Sequence, residues 1–212
     1  YYPYGCKRPT FHDEFLPTFN KPNVTLIDTA PLGVTEINEN GVVHNSTEYP
    51  VDVLIYATGF QWMATSTFNM ITGENGQTLK EKWETEGTKT FLGRHSKGFP
   101  NLFIISGPQG GGGQFNFTRI IESHSDYVIW MLKTLRERGA TKVDVETKAE
   151  NEYAEHCKIA DIKTRPLRDC ISYYNGHGEG EPGSLAYYGG AQKWHEHREE
   201  AQKTLKPYIF DE

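Results

Sequence analysis

Two apolar runs that each stop abruptly at glycine constrain this chain more than any other feature. Residues 51–56 (VDVLIY) end in Ala57-Thr58-Gly59, and residues 101–106 (NLFIIS) end in the loop 107–114 (GPQGGGGQ). Runs that are apolar on both faces are the habit of strands covered on both sides by helices in a parallel sheet. The pattern predicts an α/β fold, part of a doubly wound domain followed by C-terminal helices. Such folds bind ligands beyond the C-terminal ends of their strands, so both glycine turns are candidate sites.

The rest of the chain supplies the other layers. Residues 24–27 (VTLI) read as a short strand after a turn at Lys21-Pro22-Asn23. Asn40-Gly41 between residues 35–37 and 42–44 is a two-residue hairpin signal. A short helix is predicted near Leu79 to Glu86. A long one is predicted from Phe117 to Arg138, with Ile120, Ile121, His124, Tyr127, Val128, Met131 and Leu135 on one side and Gly139 as its stop. Thr147 and Glu150 have capping-box spacing for a helix reaching about Ile162. Residues 165–190 read as a long mobile loop, and a last helix from Ala191 to about Leu205 stops before Pro207.

Composition removes several function classes. With 22 Lys and Arg against 28 Asp and Glu, the net charge of −6 and the absence of a basic run argue against nucleic-acid binding. The apolar runs are far too short for a bilayer, so no membrane partner is expected. Three cysteines, Cys6, Cys157 and Cys170, form no CxxC pair, which argues against a thiolate metal site and favours a reducing, cytoplasmic setting. The opening YYPYGCKRP reads as the middle of a longer polypeptide.

Some motifs match letters without matching chemistry. Gly178 to Gly183 spells G-x-G-x-x-G, but it carries Glu179, Glu181 and Pro182 inside it and reads as loop. His195 and His197 lie two apart on a helix, which points them away from one another, and read as solvated. Ser123-His124-Ser125-Asp126 falls mid-helix without a nucleophile elbow.

The loop 107–114 is the stronger candidate. Gly110 to Gly113 would let a ligand approach the backbone, and a helix opening near Phe117 aims free N–H groups and a positive dipole end at the same place. Gln109, Gln114 and Asn116 add neutral polar groups, while Phe115 and Phe117 add flat apolar walls. Without a lysine or a GK[ST] ending, the loop suits an aromatic heterocycle with a polarisable carbonyl better than a triphosphate. The competing reading is a tight turn that only packs sheet against helix. Pro9 biases Arg8 toward an extended conformation, in which Lys7 and Arg8 point to opposite sides.

Taken together, the motifs resemble those of Baeyer–Villiger monooxygenases. VDVLIYATGF is similar to that family's D-x-x-x-x-A-T-G-[FY] signature. GCKRP, FNKPNVTLID, LKEKW, FLGRHSKGFPNLFIISGP, Asn116 and the Tyr173-Tyr174 loop follow in the family's order. The resemblance covers essentially all 212 residues. It implies FAD and NADPH as cofactors, a ketone and molecular oxygen as substrates, and an ester or lactone made via a flavin peroxide. It implies a missing N-terminal half, with residues 1–50 completing an NADP-binding domain and residues 51–212 forming the second half of an FAD-binding domain. By matching position, Arg8 is the catalytic arginine and Lys7 recognises the 2′-phosphate of NADPH. Asp52, Thr58 and Gly59 lie in the linker between dinucleotide domains. Asn116 and Phe117, with Gln109 in the preceding loop, meet the flavin. Tyr173 falls in the loop over NADP, and Gln114 and Phe115 line the substrate pocket. The glycine-rich loop resembles members acting on large-ring ketones such as cyclopentadecanone. Related nitrogen- or sulfur-oxidising flavin monooxygenases, or a non-catalytic piece that needs a partner, are the alternatives.

Overall fold

The computed structural model of the chain describes residues 7–8, 10–59, 66–112, 115–164, 171–174, 183 and 185–211. The chain divides into two compact units, one of residues 10–60 and one of residues 1–9 with 61–212.

The smaller unit is built on a three-stranded antiparallel meander of β1 (Glu36–Ile37), β2 (Gly41–His44) and β3 (Thr47–Pro50), preceded by the one-turn helix α1 (Phe15–Thr18). The first reversal is the predicted hairpin moved by one residue. Ile37 pairs with Val42, Asn38 closes onto Gly41, and the loop is Glu39-Asn40. Asn38 Oδ1 accepts from the backbone N–H groups of Asn40 and Gly41, both at 3.0 Å. Gly41 stands within the strand because a Cβ there would collide with the Tyr49 carbonyl on β3. The second reversal turns on Asn45 and Ser46, at φ 47° and 64°. Two consecutive positive φ values give the primed turn whose twist suits a hairpin.

Two strand expectations in this unit are corrected. Residues 24–27 follow the expected turn, with Val24 N–H donating to the Lys21 carbonyl at 3.0 Å, but form no ladder. Beyond the Val51 N–H, which donates to the Asn40 carbonyl at 3.2 Å, residues 51–56 join no ladder among the described residues and are not buried, with Val53 75% and Ile55 82% exposed. An apolar segment becomes a sheet strand only when neighbouring strands take up its N–H and C=O groups. Among the described residues none does so.

The larger unit is organised around α3 (Phe117–Arg138), whose Tyr127, Met131 and Leu135 face the core as the periodicity predicts. Gly139 closes it in the left-handed conformation at φ 70°. Against α3 lie β4 (Val143–Val145), α4 (Thr147–Thr164), α5 (Ala191–Thr204) and β5 (Tyr208–Phe210). They share a core with Phe91, Leu92, Tyr153, Cys157, Tyr187, Trp194 and Tyr208. β4 and β5 pair antiparallel, Val143 opposite Phe210 and Val145 opposite Tyr208. A smaller cluster seats Leu79 and Trp83 of α2 (Leu79–Glu86) on Phe99. Here the capping box is Thr78 with Glu81.

Two further corrections follow. Residues 101–106 are not a strand, because Asn101 and Ser106 bracket the run at positive φ, 59° and 58°, and break the extended path at both ends. Glu150 does not cap α4. Its carboxylate instead turns inward to Lys82, Ser96 and the Lys97 N–H. The chain mixes helix and strand as expected, yet every ladder among the described residues is antiparallel.

Candidate functional site

The N-terminus of α3 brings together four of the sequence-predicted site residues, Phe115, Asn116, Phe117 and Arg8. Asn116 caps it in extended conformation, its Oδ1 accepting from Arg119 N–H at 3.2 Å and from the Thr118 hydroxyl at 2.6 Å. The cap occupies part of the first turn and leaves the positive end of a 22-residue helix facing outward. Phe117 is half exposed there. Phe115 is half-buried, its ring 5.3 Å from that of Trp194.

Arg8 joins this end of the helix through its guanidinium. Nη1 donates to the Phe115 carbonyl at 2.7 Å, one residue before the cap, and Nε donates to the Tyr174 hydroxyl at 3.0 Å. Tyr174 is nearly buried and its ring lies 4.2 Å from that of Tyr173. Burial, with a hydrogen bond from Tyr173, pushes the Tyr174 phenol up to about 12, against the opposing hydrogen bond and charge of Arg8. Lys7, next to Arg8, is exposed, so the two neighbours occupy different environments.

The glycine loop behind the cap is packed by the protein itself. A Cβ on Gly110 would meet the His124 ring, one on Gly111 the Ile120 side chain and one on Gly112 the Tyr187 carbonyl. Gly93, at φ 68°, presses against Gly110 from the other side. The Gln109 side chain is buried and bonded at both ends. Oε1 accepts from the Thr90 N–H and hydroxyl, and Nε2 donates to the Thr88 and Gly183 carbonyls. These contacts hold the loop in shape and leave its outer edge to Phe115, Asn116 and Phe117.

His124 is a residue that sequence reading set aside. From mid-α3 its Nε2 lies 3.1 Å from the Gly110 carbonyl, while Nδ1 lies 3.2 Å from the Ser106 N–H and 3.3 Å from the Ile104 carbonyl, so the imidazole bridges the glycine loop and the segment before it. Burial, with the nearby Arg94 charge, pushes it down to about 3. Its neighbour Ser123 accepts from both Arg94 and Arg198. The signal for these roles was absent from local spacing, since each partner comes from another segment.

Other expected residues lie elsewhere. Asp52, Thr58 and Gly59 belong to the smaller unit and are exposed. Gln114 and nearly all of the Gly178–Gly183 stretch lie outside the described residues, as do Cys6 and Cys170. Cys157 is buried and free, its thiol pushed up by burial. His197 is not solvated as expected. It packs 4.5 Å from the His156 ring and edge-on to Tyr153, because α5 turns that face toward α4. Among the described residues no cluster of His, Cys, Asp and Glu could hold a metal, and no helix is long and apolar enough to cross a membrane.

Known proteins resemble this chain in both sequence and fold. No family model matches it. Pentalenolactone D synthase of Streptomyces arenae is 38% identical over 201 residues, which cover 90% of this chain and 33% of that protein. A Baeyer–Villiger monooxygenase of Streptomyces coelicolor is 37% identical over 205 residues, 92% of this chain and 33% of its own length. Among solved structures, the polycyclic ketone monooxygenase of the fungus Thermothelomyces thermophila superposes with a TM-score of 0.80 at 29% identity. That match covers 97% of this chain and 35% of the fungal one. A structure titled as OTEMO in complex with FAD and NADP gives 0.80 at 26% identity, covering 99% of this chain and 39% of its own. The chain thus spans about a third of the length of the curated relatives it matches. In sequence and in fold, this chain is a homologue of part of the Baeyer–Villiger monooxygenases.

Proposed function

We propose that the chain is the C-terminal part of an FAD- and NADPH-dependent Baeyer–Villiger monooxygenase that converts a ketone and molecular oxygen to an ester or lactone. The observation that carries this reading is Arg8, bonded at 2.7 Å to the carbonyl one residue before the α3 cap. It brings a fixed cation to a helix N-terminus that already favours negative charge. These residues fit a flavin edge: a positive helix end, a half-exposed Phe117 ring and the Asn116 amide on one rim.

The chemistry supplied by bound FAD is hydride uptake from NADPH and activation of oxygen. The α3 N-terminus would favour negative charge on a flavin held there, with Asn116 and Phe117 orienting it and Gln109 acting through the loop it holds. Arg8 stabilises the charge that grows on the former carbonyl oxygen, since a guanidinium keeps its own charge at any working pH. Phe115 and Gln114 bound the substrate side. Lys7 meets the 2′-phosphate of NADPH and Tyr173 lies over the nicotinamide cofactor. Residues 1–50 complete an NADP domain, Asp52, Thr58 and Gly59 form the linker, and residues 51–212 supply half of an FAD domain. The N-terminal remainder supplies the sheet neighbours that residues 51–56 lack. The partners are the ketone and oxygen, with no nucleic acid, and the location is the cytoplasm.

The test is product analysis on the full-length polypeptide with NADPH and a ketone panel. Arg8→Ala should cut ester formation about a hundredfold or more, the usual loss of one oxyanion-stabilising donor, while FAD stays bound. Ester at near-native rates from that variant would refute the reading. Oxidation of sulfides or amines with no ketone turnover would favour the related nitrogen- or sulfur-oxidising enzymes.

A further inference from the structure

We propose that Tyr174 is a positioning residue that sets the orientation of the Arg8 guanidinium relative to the α3 N-terminus. This inference rests on the reading of Arg8 as the catalytic arginine and adds the residue through which that arginine is held.

A flexible arginine side chain can point its planar fork in many directions, and one hydrogen bond leaves it free to swing. Arg8 has two anchors on different groups of the fork. Nη1 donates to the Phe115 carbonyl at 2.7 Å and Nε donates to the Tyr174 hydroxyl at 3.0 Å. Two contacts from a rigid plane fix its rotation as well as its place. Among the described residues these contacts use two of the five N–H donors.

The chemistry of the second anchor suits the task. A carboxylate in the same position would neutralise the guanidinium and weaken its pull on a developing oxyanion. A phenol accepts the Nε–H without doing so, provided it keeps its proton. Burial of the Tyr174 hydroxyl holds it protonated far above neutrality. Tyr174 is itself fixed, being only 8% exposed, with its backbone N–H on the Ser172 hydroxyl at 3.2 Å and its ring 4.2 Å from that of Tyr173. The Tyr174 hydroxyl thus stands between Tyr173, with which it shares a side-chain hydrogen bond, and the Arg8 Nε–H that it accepts.

The experiment uses the full-length polypeptide and the conservative variant Tyr174→Phe, which keeps the ring and deletes the acceptor. Ester formed per NADPH consumed should fall about five- to twentyfold, with the KM for NADPH unchanged. In an Arg8→Lys background, where no Nε–H exists, the same substitution should change the ratio less than twofold. In protein labelled with 15N-arginine, solvent exchange of the Arg8 Nε–H should quicken at least tenfold in Tyr174→Phe. Native coupling in Tyr174→Phe alongside a dead Arg8→Ala would overturn the Tyr174 assignment alone. Equal losses in both Arg8 backgrounds would overturn it too. Native activity in Arg8→Ala would remove the catalytic reading of Arg8, and the Tyr174 assignment with it.

Discussion

The ammonium of Lys82 and the carboxylate of Glu150 meet at 2.9 Å with their side chains only 5% and 3% exposed. They tie α2 to α4. Ser96 and the backbone N–H and carbonyl of Lys97 complete the polar shell around the pair. Burying two charges is costly, so this pair specifies one arrangement more than it adds stability. Removing one partner strands the other.

Glu150→Ala should therefore cost about 3–5 kcal/mol in urea unfolding, the usual penalty of an uncompensated buried charge. The double variant Lys82→Met with Glu150→Leu should recover most of that loss. A double variant as unstable as Glu150→Ala would show that geometry, and not the stranded charge, carries the penalty.

Gly93→Ala tests the close approach behind the glycine loop. The position has φ 68°, and an added Cβ would strike the Gly110 backbone. Left-handed strain and overpacking together should cost about 2–4 kcal/mol. Gly139→Ala is the control, because Gly139 has nearly the same φ of 70° but open space around it. Strain alone should cost about 1–2 kcal/mol there. Thermal unfolding of both variants separates the two effects, and equal losses would deny the contact between Gly93 and Gly110.

Acid should weaken the larger unit through its buried imidazoles. Burial, followed by the Arg94 charge, pushes His95 and His124 down to about 3. In the unfolded chain they titrate near the ordinary value of about 6.5, so the unfolded state binds protons first as pH falls. The stability from keeping them neutral is present above about pH 6.5 and drains away toward pH 3. Each imidazole contributes a slope of about 1.4 kcal/mol per pH unit at most. Denaturant midpoints measured from about pH 6 to 5, where carboxylates stay ionised, should show a slope shallower by that amount in His124→Gln. An unchanged slope would place His124 in contact with solvent.

Lys7 should control which nicotinamide cofactor is used by the full-length polypeptide. On the proposed reading of Lys7, Lys7→Ala would delete one charge-assisted contact to the 2′-phosphate, worth about 1.5–3 kcal/mol, or roughly ten- to a hundredfold. The KM for NADPH should rise by that factor while the KM for NADH stays nearly constant. Equal rises with both cofactors would take Lys7 out of the phosphate site.

The elements that were legible in the amino-acid order are those whose signals are local. The 3.6-residue apolar stripe and Gly139 place α3 at Phe117–Arg138, and the same kind of signal places α2 at Leu79–Glu86. Asn40-Gly41 marks the first hairpin to within one residue. A helix closes its hydrogen bonds within its own segment, so neighbours in sequence suffice to predict it. The motif order around VDVLIYATGF likewise pointed to the family that the homologues and structural neighbours bear out.

Tertiary structure alone decided what depends on residues far apart in the chain. The apolar runs 51–56 and 101–106 look like strands, but a strand exists only where another backbone accepts its hydrogen bonds. Among the described residues the first run joins no ladder, and the second is bent at both ends. Thr147 and Glu150 have the spacing of a capping box, yet Glu150 serves Lys82, 68 residues away. The Arg8 contacts span 107 residues to Phe115 and 166 to Tyr174, so no local pattern announces them. The chain order determined which helices form and which residue types are available. Burial and long-range pairing, whose free energy exists only once distant segments meet, determined which of those residues act together.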